Sequence, residues 1–340
     1  MKLSLAREIV ESAIRWNMSN TNGHDAENIV PYLVGGPGLG KTTIVKDICK
    51  DMGIDCSVLS LAQYDPGELG GWPVPSADGA TMQRMRPDWM PSEGKGVLFI
   101  DELVQGPVPC QNIAAQIVNE RRVGPHYLPD GWVVVTAGNR TSDRAGANTM
   151  PTHLRDRLTF VPVEADLEDT IAYFSKVGVS DKVRAYLRFR PEWLHKFDTQ
   201  ENACPSPRSW ERVSSILEWD IDDVCMTEAV AGQVGRAASA DFMGFLQLFD
   251  VAPDIDKLIA KPDEAEVPSD PAIMFAVSSA ISSRMTKSNA GNCLKYLMRL
   301  PQKEFVAFAM KDAFSRDKSI ASVDSVRKWI LAEGAMLALS

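Results

Sequence analysis

Apolar positions follow two regimes along the chain. Between residues 29 and 163 they gather into short runs bounded by glycine, proline or charge: Ile29–Val34, Cys56–Leu59, Val97–Ile100, Trp132–Thr136 and Leu158–Val163. Unbroken runs of this length suit strands of a parallel sheet covered on both faces. Helical spacing lies between them, in Thr42–Met52 and Val108–Asn119, and ahead of them, where Leu5, Ile9, Ala13 and Trp16 mark the apolar stripe of a helix over Leu3–Trp16. Asn20–Asn28 is a polar loop. From Asp166 onward strand signals almost vanish, and Leu167–Ser175, Asp181–Phe189, Ser209–Trp219 and Met226–Phe249 each carry a helical period. Val251–Pro271 is acidic and punctuated by proline, as a linker or exposed loop would be, and Ala272–Leu339 can form several more helices. The pattern predicts an α/β core with a five-stranded, mostly parallel sheet over residues 1–164, a helical domain over 165–250 and a helical extension over 251–340. No fixed-period repeat or low-complexity tract interrupts it.

Composition changes this picture little. Of 340 residues, 45% are hydrophobic and 24% charged, ordinary globular usage. No apolar run approaches the roughly 18 to 20 residues that span a bilayer, and Arg7, Glu8 and Glu11 interrupt the start where a signal peptide needs apolar residues, so a cytoplasmic location is expected. The six cysteines contain no C-x-x-C pair, and His24, His126, His153 and His195 show no ligand spacing; reduced, mostly buried thiols and no zinc site are expected. A net charge of −9 opposes a uniformly basic nucleic-acid surface and leans towards protein partners, although a local basic stripe stays open.

The chemistry concentrates at strand ends. Gly35-Gly36-Pro37-Gly38-Leu39-Gly40-Lys41-Thr42 satisfies G-x-x-x-x-G-K-[ST] after an expected strand and before an expected helix. Small residues let successive backbone N–H groups turn towards phosphate oxygens, and the helix N-terminus favours that negative charge. Gly36, Pro37, Gly38, Leu39, Gly40, Lys41, Thr42 and Thr43 therefore form the expected nucleotide cradle, with Lys41 on the β- and γ-phosphates of ATP and the Thr42 hydroxyl on Mg²⁺. Downstream, Val97-Leu98-Phe99-Ile100-Asp101-Glu102 ends a strand in two carboxylates: Asp101 can hold the Mg²⁺ shell, and Glu102 can orient or deprotonate the attacking water. Asn139, after Val133–Gly138, ends another strand in an amide suited to the γ-phosphate or water, or to a simple turn.

At these three motifs the chain resembles the AAA+ superfamily, and specifically the MoxR-like ATPases, over about residues 28 to 250. The resemblance implies a P-loop αβα core, a helical lid, ATP hydrolysis, and assembly as a ring, most often a hexamer. Met150–Leu158 is similar to the family segment whose arginine approaches ATP on the neighbouring subunit, with Arg157 the best match and Arg155 a competitor. Pro205-Ser206-Pro207-Arg208-Ser209-Trp210-Glu211 is similar to the segment that opens a lid helix, which would point Arg208 at the phosphates; the alternative is a surface arginine. MoxR-like proteins imply a chaperone that remodels or activates partner proteins, often ones with a von Willebrand factor A domain. The rival expectations are a nucleic-acid motor or loader and a nucleotide-gated scaffold.

Two loops stay open. Tyr64–Pro73 carries Leu69 and Trp72 among turn residues and either presents them to a partner or tucks Trp72 into the core. Arg121–Gly131 reads as a hairpin whose two arginines serve subunit pairing or nucleic acid.

Overall fold

The strands in chain order are β1 (Val30–Val34), β2 (Asp55–Ser60), β3 (Pro73–Pro75), β4 (Met82–Arg84), β5 (Gly96–Asp101), β6 (Arg122–Val123), β7 (His126–Tyr127), β8 (Trp132–Gly138) and β9 (Leu158–Pro162). Five of them form one sheet in the order β2-β5-β8-β1-β9, with every neighbouring pair parallel. β3–β4 and β6–β7 are separate antiparallel hairpins. The chain is described here by a computed structural model covering residues 1–20, 28–140, 148–198, 200–250 and 254–333. His24 lies outside the described residues, as does most of the expected loop around it.

Both sheet faces are buried, which is why the central strands read as continuous apolar runs. Leu33, Val97, Phe99, Val133, Val135 and Val161 pack with α1 (Leu3–Asn20) and α2 (Lys41–Met52). Their alternating neighbours Tyr32, Leu98, Ile100 and Val134 pack with α4 (Val108–Glu120) and with Leu154 of α5 (Thr152–Arg155). The short helix α3 (Pro66–Gly70) opens with a capping box of Asp65 and Glu68.

The face of α1 differs from the expectation. It buries Ala6, Val10, Ala13, Ile14 and Asn17, while Leu5, Ile9 and Trp16 are exposed. Asn17 sets this rotation: its Nδ2 donates to Ile29 O at 2.7 Å, and Ile29 N donates back to its Oδ1 at 3.0 Å. Ala6, Val10 and Ile14 then pack on the sheet. Apolar period alone did not separate two competing stripes.

Two compact units result, one of Met1–Asp166 with Phe197–Gln200, the other beginning at Leu167. The second unit holds α6 (Leu167–Val177), α7 (Asp181–Phe189), α8 (Pro207–Ile216), α9 (Asp223–Val234), α10 (Arg236–Asp250), α11 (Ile255–Ala260), α12 (Pro271–Arg284), α13 (Ala290–Leu297), α14 (Lys303–Arg316) and α15 (Asp324–Glu333), and no strand among its described residues. The helix expected over Met226–Phe249 is two, broken at Gly235 with φ 83°. Residues expected in a proline-punctuated linker include α11. No described helix is long and apolar enough to cross a membrane.

An aromatic ladder runs through this unit. Tyr186 lies 5.0 Å from Phe242 and 5.2 Å from Trp210, Phe189 lies 5.6 Å from Phe275, and Phe275 stacks on Phe308 at 4.6 Å. Beside it, Asp312 of α14 pairs with Arg188 of α7 at 2.7 Å and Arg316 at 3.6 Å, and accepts from Ser282 of α12 at 2.6 Å. Burial acts to raise the Asp312 pKa, but Arg188 and Ser282 outweigh it and hold the carboxyl below its ordinary range. Asp312→Ala would leave two arginines without their counter-charge, at a cost of about 3–5 kcal/mol. Because the folded pKa is depressed, this contribution is present above the unfolded value of about 3.9 and is lost as pH falls through the folded one. Denaturant unfolding should show the full gap from wild type at neutral pH and a shrinking gap in acid; a constant gap would dismiss the ionic account.

Candidate functional site

The glycine-rich loop before α2, Asp101, Glu102 and Asn139 meet at the carboxyl ends of three adjacent strands, β5, β8 and β1, where open parallel sheets place their ligands. Backbone geometry explains the glycines of the phosphate loop. Gly38 and Gly40 take φ of 76° and 80°, which side chains disfavour, and a Cβ on Gly35 would lie 2.6 Å from Val163 O. Gly40 is the N-cap of α2 and supplies no side-chain cap. Among the described residues, Gly36, Gly38, Leu39 and Gly40 donate no backbone hydrogen bond to another backbone carbonyl. Amide donors without partners at a helix N-terminus form an anion cradle, which fits a phosphate chain.

Lys41 is 8% exposed, and its Nζ donates to Gly35 O and Gly36 O, each at 2.8 Å, and to Asn139 Oδ1 at 3.1 Å. Asn139 thus stands beside the phosphate loop rather than serving only a turn. Thr42 Oγ1 donates to Asp101 Oδ2 at 2.6 Å, and Glu102 N donates to Asp101 Oδ1 at 2.8 Å. A hydroxyl and a carboxylate oxygen in contact are the hard donors a magnesium ion takes.

Glu102 has φ 56°. A non-glycine residue there costs on the order of 1 kcal/mol and persists where the surroundings demand it, often at functional sites. Ser60 Oγ donates to Glu102 Oε2. The sequence reading missed Ser60, although a signal existed: β2 lies beside β5 with Ser60 level with Asp101, so a polar last residue on that strand faces the carboxylate pair.

The arginines divide differently. Arg157 is exposed but tied within its own chain, its Nε donating to Asn119 Oδ1 at 2.7 Å and its Nη1 to His153 O. Arg155 is exposed without an ion pair or side-chain hydrogen bond among the described residues, and with Thr152, His153 and Asp156 it lines an open groove. Arg208 belongs to the helical unit, exposed in the first turn of α8 behind the Ser206–Ser209 capping box. Arg121 is not available to any partner: 4% exposed, it donates to Pro129 O at 3.0 Å and Trp132 O at 2.9 Å. Arg122 pairs with Glu120 and lies over the Tyr127 ring. The open loop resolves too. Leu69 is buried, whereas Trp72 is 57% exposed.

Residues 31–106 match the family described as ATPase family associated with various cellular activities (AAA). No curated protein sequence matches the chain. Among solved structures, the Thermotoga maritima RuvB Holliday junction branch migration motor shares 15% identity over 83% of this chain and 82% of its own, at TM-score 0.41. NtrX from Brucella abortus in complex with ADP shares 14% over 98% and 69%, at TM-score 0.39. Overlaps this loose carry no role across. The family match falls on the strand, phosphate loop and carboxylate pair described above: the chain carries an AAA-family ATPase domain and is an ATP hydrolase.

Proposed function

We propose that the chain hydrolyses Mg-ATP within a ring of its own copies, most often six, and uses that cycle to remodel or activate partner protein complexes, in the manner of the MoxR-like ATPases it resembles. Thr42 and Asp101 would hold Mg²⁺, which when bound neutralises charge on the transferring phosphoryl group. Lys41 holds the β- and γ-phosphates in the amide cradle. Glu102 orients the attacking water and takes its proton on a carboxylate oxygen, for which the Ser60 hydroxyl competes, and the Asn139 amide steadies water or γ-phosphate. Arg208 serves as the lid arginine of residues 165–250, with 251–340 as the extension. An arginine of the 152–157 segment acts on a neighbour's nucleotide: Arg157 matches the family pattern better, but Arg155 is the one without a side-chain partner among the described residues. A cytoplasmic location and a von Willebrand factor A domain partner belong to the same reading.

The observation that carries the choice of a protein client is the β3–β4 hairpin. Trp72, Met82 and Met85 are 57%, 64% and 56% exposed, and Met85 N donates to Trp72 O at 2.9 Å, which sets the tryptophan and a methionine side by side. Exposed aromatic and thioether groups suit adaptable contact with polypeptide. The nucleic-acid alternative draws little support from the second hairpin, where one arginine is buried and the other paired. The test is co-elution from native extract in ATP with a Glu102→Gln variant. Proteins retained by it and lost on Trp72→Ala are expected; retention of nucleic acid instead, with salt-dependent stimulation of ATPase rate, would overturn the client reading.

A further inference from the structure

Two of the six cysteines meet inside the ATPase unit. α2 ends at Gly53, whose φ of 65° lets the chain reverse, with Ile54 N donating to Cys49 O at 3.0 Å. Alternation along the chain that follows puts Ile54 and Cys56 on one face, and both pack on the core cluster that contains Cys49. The two thiols lie close enough to influence each other's titration. Cys49 is buried, Cys56 is half-buried, and Lys46, nearly one turn earlier on α2, is exposed nearby. Burial in a core would explain one inert thiol. It does not explain a second that reaches the protein surface with a cation near it.

We propose that Cys49 and Cys56 are an oxidation-sensitive dithiol that closes to a disulfide on contact with a hydroperoxide. The neighbouring Cys49 thiol and the charge of Lys46 hold the Cys56 pKa down, while the neighbouring Cys56 sulfur, together with burial, pushes Cys49 up. Cys56 is therefore the attacking thiolate. Its sulfur takes the terminal oxygen of the hydroperoxide, breaking the O–O bond and leaving a sulfenic acid and hydroxide (or alkoxide), which takes up the proton Cys56 had released. The anion that held the Cys49 proton is then gone, so Cys49 sulfur attacks the sulfenic sulfur and water leaves with that proton and the hydroxyl. Two thiols have lost two electrons, and the peroxide has gained them.

The bridge would tie the end of the helix that begins with Lys41 and Thr42 to the strand whose last residue, Ser60, holds Glu102. It reaches the ATPase site from behind without consuming a site residue.

Trypsin decides the matter, because Lys50 lies between the two cysteines and its cleavage leaves two peptides joined only by the bridge. Hydrogen peroxide on the intact protein should remove two of the six thiols and yield that joined pair, and dithiothreitol should restore both. In Cys49→Ser, Cys56 should stop at sulfenic acid and be captured by dimedone. The proposal fails if wild-type protein shows Cys56 overoxidised to sulfinic acid with Cys49 still a free thiol, or only the exposed Cys225 oxidised. Should Cys49→Ser not fold, the wild-type peptide map decides alone.

Discussion

Lys41→Ala is expected to weaken ATP binding by about a hundredfold or more. The segment Gly35–Thr43 contains one charged side chain, and it is this lysine. Its ammonium is 8% exposed and held by two loop carbonyls and Asn139, so it is positioned before any ligand arrives and little ordering entropy opposes its contact with phosphate. Hydrogen bonds to charged groups contribute about 1.5–3 kcal/mol each, and a lysine shared between two phosphates makes more than one. At roughly 1.4 kcal/mol per factor of ten, their loss gives the expected fall. Calorimetric titration with a non-hydrolysable ATP analogue measures it directly, and an affinity near that of wild type would remove the phosphate cradle from the account.

Much of this unit was legible because its strongest constraints are local. All five sheet strands lie within a residue or two of their expected positions, and the inner three, β1, β5 and β8, are buried on both faces and so show as unbroken apolar runs whatever their order. The phosphate loop was legible for the same reason: glycines at positive φ and a lysine at a fixed offset are a local requirement. What failed was non-local. The rotation of α1 depends on Asn17 clamping Ile29 across the intervening loop, and Leu69 becomes buried only once α3 packs against α4. Ser60 needed the neighbour relation of β2 and β5, which no single run displays. The segment around Arg155 and Arg157 gave the residue types but not their partners, because the Asn119 that binds Arg157 comes 38 residues earlier.

Glu102→Gln is expected to lower the hydrolysis rate by about two to four orders of magnitude while leaving ATP bound, because the amide keeps the shape and loses the basic oxygen. Backbone strain sharpens this expectation. A chain that needed only a turn after β5 could place glycine at φ 56° without strain, so holding a carboxylate there trades stability for chemistry. Glu102→Gly should therefore unfold at a slightly higher temperature than wild type and be as inactive as Glu102→Gln. A glycine variant that is less stable would show instead that the Ser60–Glu102 hydrogen bond outweighs the strain.

The most direct measurement takes ATP occupancy and phosphate release together on the same sample of Glu102→Gln. A base acting on ATP held in the Lys41 loop predicts occupancy equal to wild type with release reduced at least about a hundredfold. Phosphate release near the wild-type rate, with ATP fully bound, would contradict the assignment of Glu102 and with it the account of how this chain hydrolyses ATP.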